Sequence, residues 1–176
     1  NGAFRRRKQR FLHRFGAALI CNSGCYGMNA STRLTIALHI LTLLASNPEE
    51  TVTSEYIAGS VNTNPVVIRR LLGLLRTAGL VVSQSGIGGG WRLTGPPDSI
   101  TLLAVRRAVN EGSPFNMHHQ QPNPSCPVGR HIQNALVEVY ARAERALEAE
   151  LAGPTVGQLL ESVQSRHRDA GESNKG

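Results

Sequence analysis

A mostly α-helical fold with one small two-stranded β ribbon is what the sequence predicts, on three observations. Between Thr53 and Leu93 two helical patterns follow one another across a short break, Val61-Asn62-Thr63. The β-branched, apolar run Leu80-Val81-Val82 is then separated from Trp91-Arg92-Leu93 by Ser85-Gly86-Ile87-Gly88-Gly89-Gly90, a stretch too glycine-rich for anything but a turn. Further on, Pro127–Leu151 keeps apolar residues at helical spacing for about three and a half heptads.

The elements follow in order. Ser31–Ala45 is the first predicted helix. Leu34, Ala37, Leu38, Leu41 and Leu44 form one apolar face, which Ile36, Ile40 and Leu43 widen, so this helix is expected to be buried on several sides. Arg33 lies in its first turn, toward solvent or phosphate, and His39 reads as a half-buried core residue. Asn47-Pro48 ends it. Thr53 caps the next helix, and Glu55 suits the positive end of its dipole. Asn64 caps the helix after the break, with Pro65 at the first helical position, where a missing N–H costs nothing. Val67, Leu71, Leu74 and Leu75 predict its buried stripe, flanked by Ile68 and Leu72, with Arg69, Arg70 and Arg76 off the stripe. Gly79 supplies the left-handed stop.

That order is a winged helix-turn-helix. The two-helix unit holds its second helix proud of the surface, so that the helix N-terminus can enter a DNA major groove. The competing reading is a packing helix pair and an ordinary hairpin. The Asn-Pro cap, the Ala-Gly stop and the glycine wing, all in register, favour the DNA reading. Asn62, Thr63, Asn64 and Val66 then occupy the turn and first helical turn, where Asn pairs with adenine and Val or Thr meets a thymine methyl. Arg69 and Arg70 serve a guanine or, more commonly, a phosphate. In the wing, Gln84, Ser85, Arg92 and the backbone N–H groups of Gly86, Gly88 and Gly89 are candidate DNA contacts. Trp91 is expected to pack between ribbon and helices.

Gly95-Pro96-Pro97-Asp98 is a rigid link to a helix over Thr101–Val109, with Leu102, Val105 and Val109 inward and Arg106 and Arg107 outward. A polar loop covers 113–126. Pro127 is a good first helical residue, which makes Cys126 the N-cap of the long helix. Helix N-termini favour the reactive thiolate, so Cys126 is a candidate redox sensor, weighed evenly against a cap that never reacts. Ile132, Leu136, Val139, Tyr140, Ala143 and Leu147 form the seam of that helix. The seam needs a partner surface, either its own domain or a second copy. A short helix capped by Thr155 runs to Val163, and 164–176 is expected to be a disordered tail.

Three stretches carry a family resemblance: ASTRLTIALHILTLLA, TSEYIAGSVNTNPVVIRRLLGLLRTAGLV and GIGGGWRL. Together they resemble the Rrf-two family of bacterial winged-helix transcription regulators, with RTAGLV and GGGWRL the most specific pair. SITLLAVRRAVNEG and CPVGRHIQNALVEVYARAERALEAEL resemble that family's linking and dimerisation helices. The resemblance implies a homodimeric, sequence-specific repressor, with a DNA-binding domain over 28–97 and linking and dimerisation helices over 98–163. Two departures matter. Ser85 stands where relatives commonly carry a wing arginine, and Trp91 where they carry tyrosine. Cluster-binding relatives also hold three cysteines in the loop that here has only Cys126, so an iron–sulfur cofactor is not expected. His118, His119, Cys126 and His131 match no strong metal-binding spacing, and no metal is expected either.

The net charge of +7 is unevenly spread. Residues 1–27 hold six bases and no acid, residues 28–110 seven bases and four acids, and residues 111–176 six bases and eight acids. The basic balance is therefore mainly an N-terminal property and is weak evidence for DNA. Residues 1–27 read as a secretory signal, a phosphate-gripping arm or, preferably, an upstream extension without a fold, with Met28 the expected natural start. Three cysteines argue against a disulfide framework and fit a reducing cytoplasm. No apolar run reaches the roughly 18 residues of a membrane span. No carboxylate pair, nucleophile–base motif or phosphate loop suggests an enzyme, since GIGGG sits between two strands. The leading function is a dimeric regulator of DNA, signalled through Cys126 or through a ligand or partner at the dimer helices. The alternative is a protein-interaction module on the same scaffold, reading no DNA.

Overall fold

The computed structural model describes residues 30–109 and 112–172. The expectations for residues 1–27, for Met28 and for 173–176 lie outside them. Six α-helices and one two-stranded sheet make up the described chain. The helices are α1 (Ala30–Ala45), α2 (Ser54–Val61), α3 (Pro65–Thr77), α4 (Leu102–Ala108), α5 (Pro127–Ala152) and α6 (Val156–Glu172). The strands are β1 (Val81–Gln84) and β2 (Gly90–Leu93), and one 3-10 turn spans Pro97–Ser99.

The helix signals act locally. Thr53 Oγ1 accepts from the Tyr56 N–H at 3.3 Å, and Asn64 Oδ1 accepts from the Val66 N–H at 2.8 Å, with Pro65 opening α3. Gly79 takes φ +74°, which lets the Leu80 N–H reach back to the Leu75 carbonyl at 3.0 Å. That bond turns the Leu80 N–H to the helix while its carbonyl accepts from the Thr94 N–H at 3.1 Å, and β1 begins at Val81, one residue later than its apolar run suggests. Thr101 caps α4, and Thr155 and Gln158 cap α6 reciprocally.

One core organises the packing. Ala37, Ile40, Leu41 and Leu44 of α1 are buried together with Ile57 and Ala58 of α2 and with Ile68, Leu71, Leu72 and Leu75 of α3. The buried stripe of α3 is thus centred on Ile68 and Leu72, while Val67 and Leu74 are only half-buried. This corrects the expected stripe. The reason is that α3 packs on α1, α2 and α4 at once, and that surround selects its inward face.

The ribbon has a third participant. Val52, in the link before α2, exchanges two 2.9 Å backbone hydrogen bonds with Trp91 of β2. Gly90 has no side chain because the Val52 backbone crosses there: a Cβ would sit 2.8 Å from its carbonyl oxygen. Trp91 packs against the core, as expected, with Arg76 6.0 Å above its ring.

Two expectations for the C-terminal half are corrected. Arg106 does not point outward. Its side chain is 6% exposed and lies between Glu144 and Glu148 of α5, at 3.5 Å from each, and it donates to the Gly112 carbonyl at 3.2 Å. Arg107 is the outward one, touching Glu148 from the surface at 3.2 Å. The last helix does not stop at Val163 but continues to Glu172, so 164–172 is helix rather than disordered tail. Val156 enters the core, its N–H bonded to the Ile100 carbonyl at 2.9 Å, and Gly157 abuts the Asp98 carboxylate, leaving no room for a Cβ. α6 then lies along α1.

Two stability predictions follow from these contacts. Arg106→Ala strips a buried cation from two carboxylates and should cost about 2 kcal/mol in urea denaturation, below the full buried-pair range because both glutamates are part-solvated, while Arg107→Ala stays within about 0.5 kcal/mol. Asn64→Ala removes the α3 cap and should cost about 1 kcal/mol by the same measurement, and Asn64→Asp should restore most of it.

Candidate nucleic-acid interface

The projecting surface is built by the turn between α2 and α3. Asn62 adopts the left-handed conformation, φ 56° and ψ 53°, and is the only non-glycine residue with positive φ among those described. It tolerates that conformation better than most side chains. The turn brings Asn62, Thr63 and Asn64 to the N-terminal end of α3. Asn62 and Asn64 are exposed, Thr63 is half-buried, and Val66 is 65% exposed. An exposed apolar residue in the first turn of a helix, with asparagines around it, has the functional groups that base edges require.

The residues differ in what they leave free. Asn64 has its Oδ1 engaged by the Val66 N–H. A bidentate contact with adenine would use the same oxygen and compete with the cap. Arg69 forms a 2.6 Å ion pair with Glu55, tying the two helices of the unit together. This arginine, with the backbone N–H and Ser54, holds the Glu55 carboxyl below the usual carboxylate range. Both side chains remain more than half exposed, so the pair is solvent-screened. Arg70 and Arg92 are exposed and take no part in any ion pair among the described residues. Arg33 is half-buried in α1.

The wing tip is a tight turn with Gly86 at φ +98° and Gly88 at φ +80°, closed by the Gly89 N–H on the Gly86 carbonyl at 2.9 Å. Gln84, Ser85, Gly86 and Gly88 are exposed, and Gly89 is half-buried. Ile87 stands fully exposed at the tip. Sequence reasoning passed over the support of this wing. Thr51 donates to the Gly88 carbonyl at 2.6 Å, and Glu49 and Glu50 line a shallow hollow with Gln84, Gly88 and Gly89. The β-branched run Thr51-Val52-Thr53 was the available signal for an extended segment beside the ribbon.

Away from this surface, Cys126 occupies the N-cap position of α5 with extended backbone angles, but its sulfur makes no capping hydrogen bond and is exposed. The expected seam divides. Ile132 and Val139 are exposed, whereas Leu136, Tyr140, Ala143 and Leu147 are half-buried, with Tyr140 stacked on Phe115 at 5.0 Å. α5 has no buried residue anywhere along its length.

With this geometry in hand, comparison with known proteins is specific. The profile of the family described as Rrf2, iron-dependent transcriptional regulator, matches residues 30–162. The chain is 44% identical to the provisional HTH-type transcriptional regulator YwnA of Bacillus subtilis (strain 168), over 74% of this chain and 96% of that protein. It is similar to the solved structure of CymR, titled the global cysteine regulator of B. subtilis, at 25% identity and TM-score 0.57, over 82% of this chain and 98% of that one. The T. potens IscR structure, at 24% identity and TM-score 0.59, covers 80% of this chain and 91% of its own, and shares the fold. The iron in the family description meets a poor donor set here. Cys126 is the one cysteine among the described residues, and no three or more His, Cys, Asp or Glu side chains among them come together to hold a metal ion. These residues do not fit an iron centre. Among the described residues no helix is long and apolar enough to cross a membrane. From its winged helix-turn-helix through its C-terminal helices, the chain belongs to the Rrf2 family of transcriptional regulators.

Proposed function

We propose that this chain is a homodimeric, sequence-specific DNA-binding repressor acting in the cytoplasm. The observation that carries the reading is the exposed turn of Asn62 and the Val66 side chain at the capped start of α3. Asn62, Thr63 and Val66 read base edges, and Arg70 meets a phosphate. Asn64 holds the helix start rather than reading a base. In the wing, Gln84, Ser85, Arg92 and the glycine N–H groups follow the backbone. The dimer reading rests on α5. A helix from Pro127 to Ala152 that has no fully buried residue and exposes Val128, Ile132, Val137 and Val139 supports a second copy lying against it. A twofold pair would set two α3 helices about one DNA turn apart on a partly palindromic site. Cys126, exposed at the start of α5, is the candidate thiol for a redox response.

A protein-interaction module is the second reading, favoured by one feature. Glu49 and Glu50 flank the wing base, and Glu55 neutralises Arg69, so acids border much of the surface that would face phosphate.

A gel shift with the DNA upstream of the protein's own gene, over a series of salt concentrations, separates the two. The parent should bind as a dimer. Asn62→Ala should lose about 1–3 kcal/mol on the operator and little on unrelated DNA. Arg70→Ala should weaken binding to all DNA alike and flatten the logarithmic salt slope by about 0.9 for each subunit in contact. No shift on any DNA at low salt would establish the interaction module instead. In the same assay Cys126→Ser should bind as the parent does and no longer respond to peroxide, and a preserved peroxide response would remove the thiol from the mechanism.

A further inference from the structure

One flank of α1 lines a groove. Thr35, Leu38, His39, Thr42 and Leu43 of α1 form one wall, and Leu159, Leu160, Val163, Gln164, His167 and Arg168 of α6 the other, around about 810 Å³. Small-molecule sites typically occupy about 300–1,000 Å³, with mostly apolar walls and a few placed polar groups. The apolar part of the walls here is leucine and valine, interspersed with Thr35, Thr42, Ser46 and Gln164. Every lining residue that can carry charge is basic, and no acid lines the groove. Arg168 supplies a permanent cation, with His167 beside it. Thr42 adds a buried hydroxyl without a hydrogen-bond partner.

We propose that this groove is an effector site for an amphipathic carboxylate, with the apolar body between Leu38, Leu160 and Val163 and the carboxylate at Arg168. The charge pattern selects the anion, and the leucine walls select its tail. The site also touches the reading unit. His39 lines the groove while its Nε2 lies 3.1 Å from Ser60 Oγ on α2. Partial burial holds the His39 pKa below the usual imidazole value, so it meets Ser60 as a neutral ring at pH 7. A molecule wedged against His39 therefore reaches the helix that supports the recognition helix. Only this consequence rests on the DNA-binding function; occupancy of the groove does not.

Calorimetric titration of the full chain with octanoate, octan-1-ol and octylamine tests the assignment. Octanoate should bind about twofold to fivefold more tightly than the alcohol, the amine more weakly than both, as expected of one charge contact at the exposed Arg168. Arg168→Gln should bring octanoate down to the alcohol's affinity and leave the alcohol unchanged. Leu160→Trp, filling the groove, should abolish binding of all three while circular dichroism shows the helices intact. Three equal affinities, no binding up to the solubility limit, or an Arg168→Gln variant that keeps the acid's preference would overturn the site. So would a Val163→Glu variant that sediments as a monomer from a dimeric parent without ligand, because the groove would then be a subunit contact. Val163 is half exposed in the single chain, so that substitution does not threaten the fold. Loss of DNA binding by the parent would leave these affinities untouched and would count only against the regulatory reading.

Discussion

The burial of α1 is the constraint on which the other elements depend. A helix with Ala37, Ile40, Leu41 and Leu44 on one side and Leu38 and Leu43 on another cannot be covered by a single neighbour. The helix-turn-helix takes the first side. α4, β2 and the link around Ile100 extend the cover, and α6 returns to lie along the helix. The recognition helix is thus aimed by apolar packing beneath it. Its exposed turn is left to side chains that contribute little to the core, which is why the surface can carry Asn62 and Val66 at modest cost to stability.

The electrostatics of that surface are restrained. Arg69 is occupied by Glu55, Arg76 lies over Trp91, and Arg106 is enclosed by α5. Three arginines that would count toward a basic footprint therefore serve structure. What remains exposed and outside any described ion pair is Arg70 and Arg92, with Glu49 and Glu50 nearby at the wing base. On the proposed DNA-binding function, a surface built this way would gain less from phosphate charge and rely more on shape and base edges.

Features governed by neighbours in sequence were legible before any coordinates. The caps at Thr53, Asn64 and Thr155, the left-handed stop at Gly79 and the glycine turn of the wing each depend on a few adjacent residues. They appear where the sequence puts them. Features that depend on distant partners were not. Nothing near Arg106 distinguishes it from Arg107; only the glutamates of α5, far along the chain, decide which one is enclosed. The joining of Val52 to Trp91 needs the wing to exist first. The extension of α6 past Val163 was obscured by the polar run after it, which reads as a tail in isolation but has Leu159, Leu160 and Val163 to anchor it along α1. Among the candidate site residues, position was legible and availability was not. Asn64 and Arg69 lie on the expected surface, yet a cap and an ion pair already engage them.

The pairing of Thr101 with Thr155 has a topological consequence. The Leu102 N–H bonds to the Pro154 carbonyl, and the Val156 N–H to the Ile100 carbonyl, so the chain departs and re-enters at a single doorway. Between them α4 stays in the core through Val105 and Val109, while the polar loop and α5 form a detour with adjoining ends. Such a detour can lengthen, shorten or tilt without rerouting the strands and helices on either side. The arm that would meet a second copy is therefore free to vary in reach while the doorway keeps α6 seated, a separation of tasks that suits one DNA-reading body to many spacings.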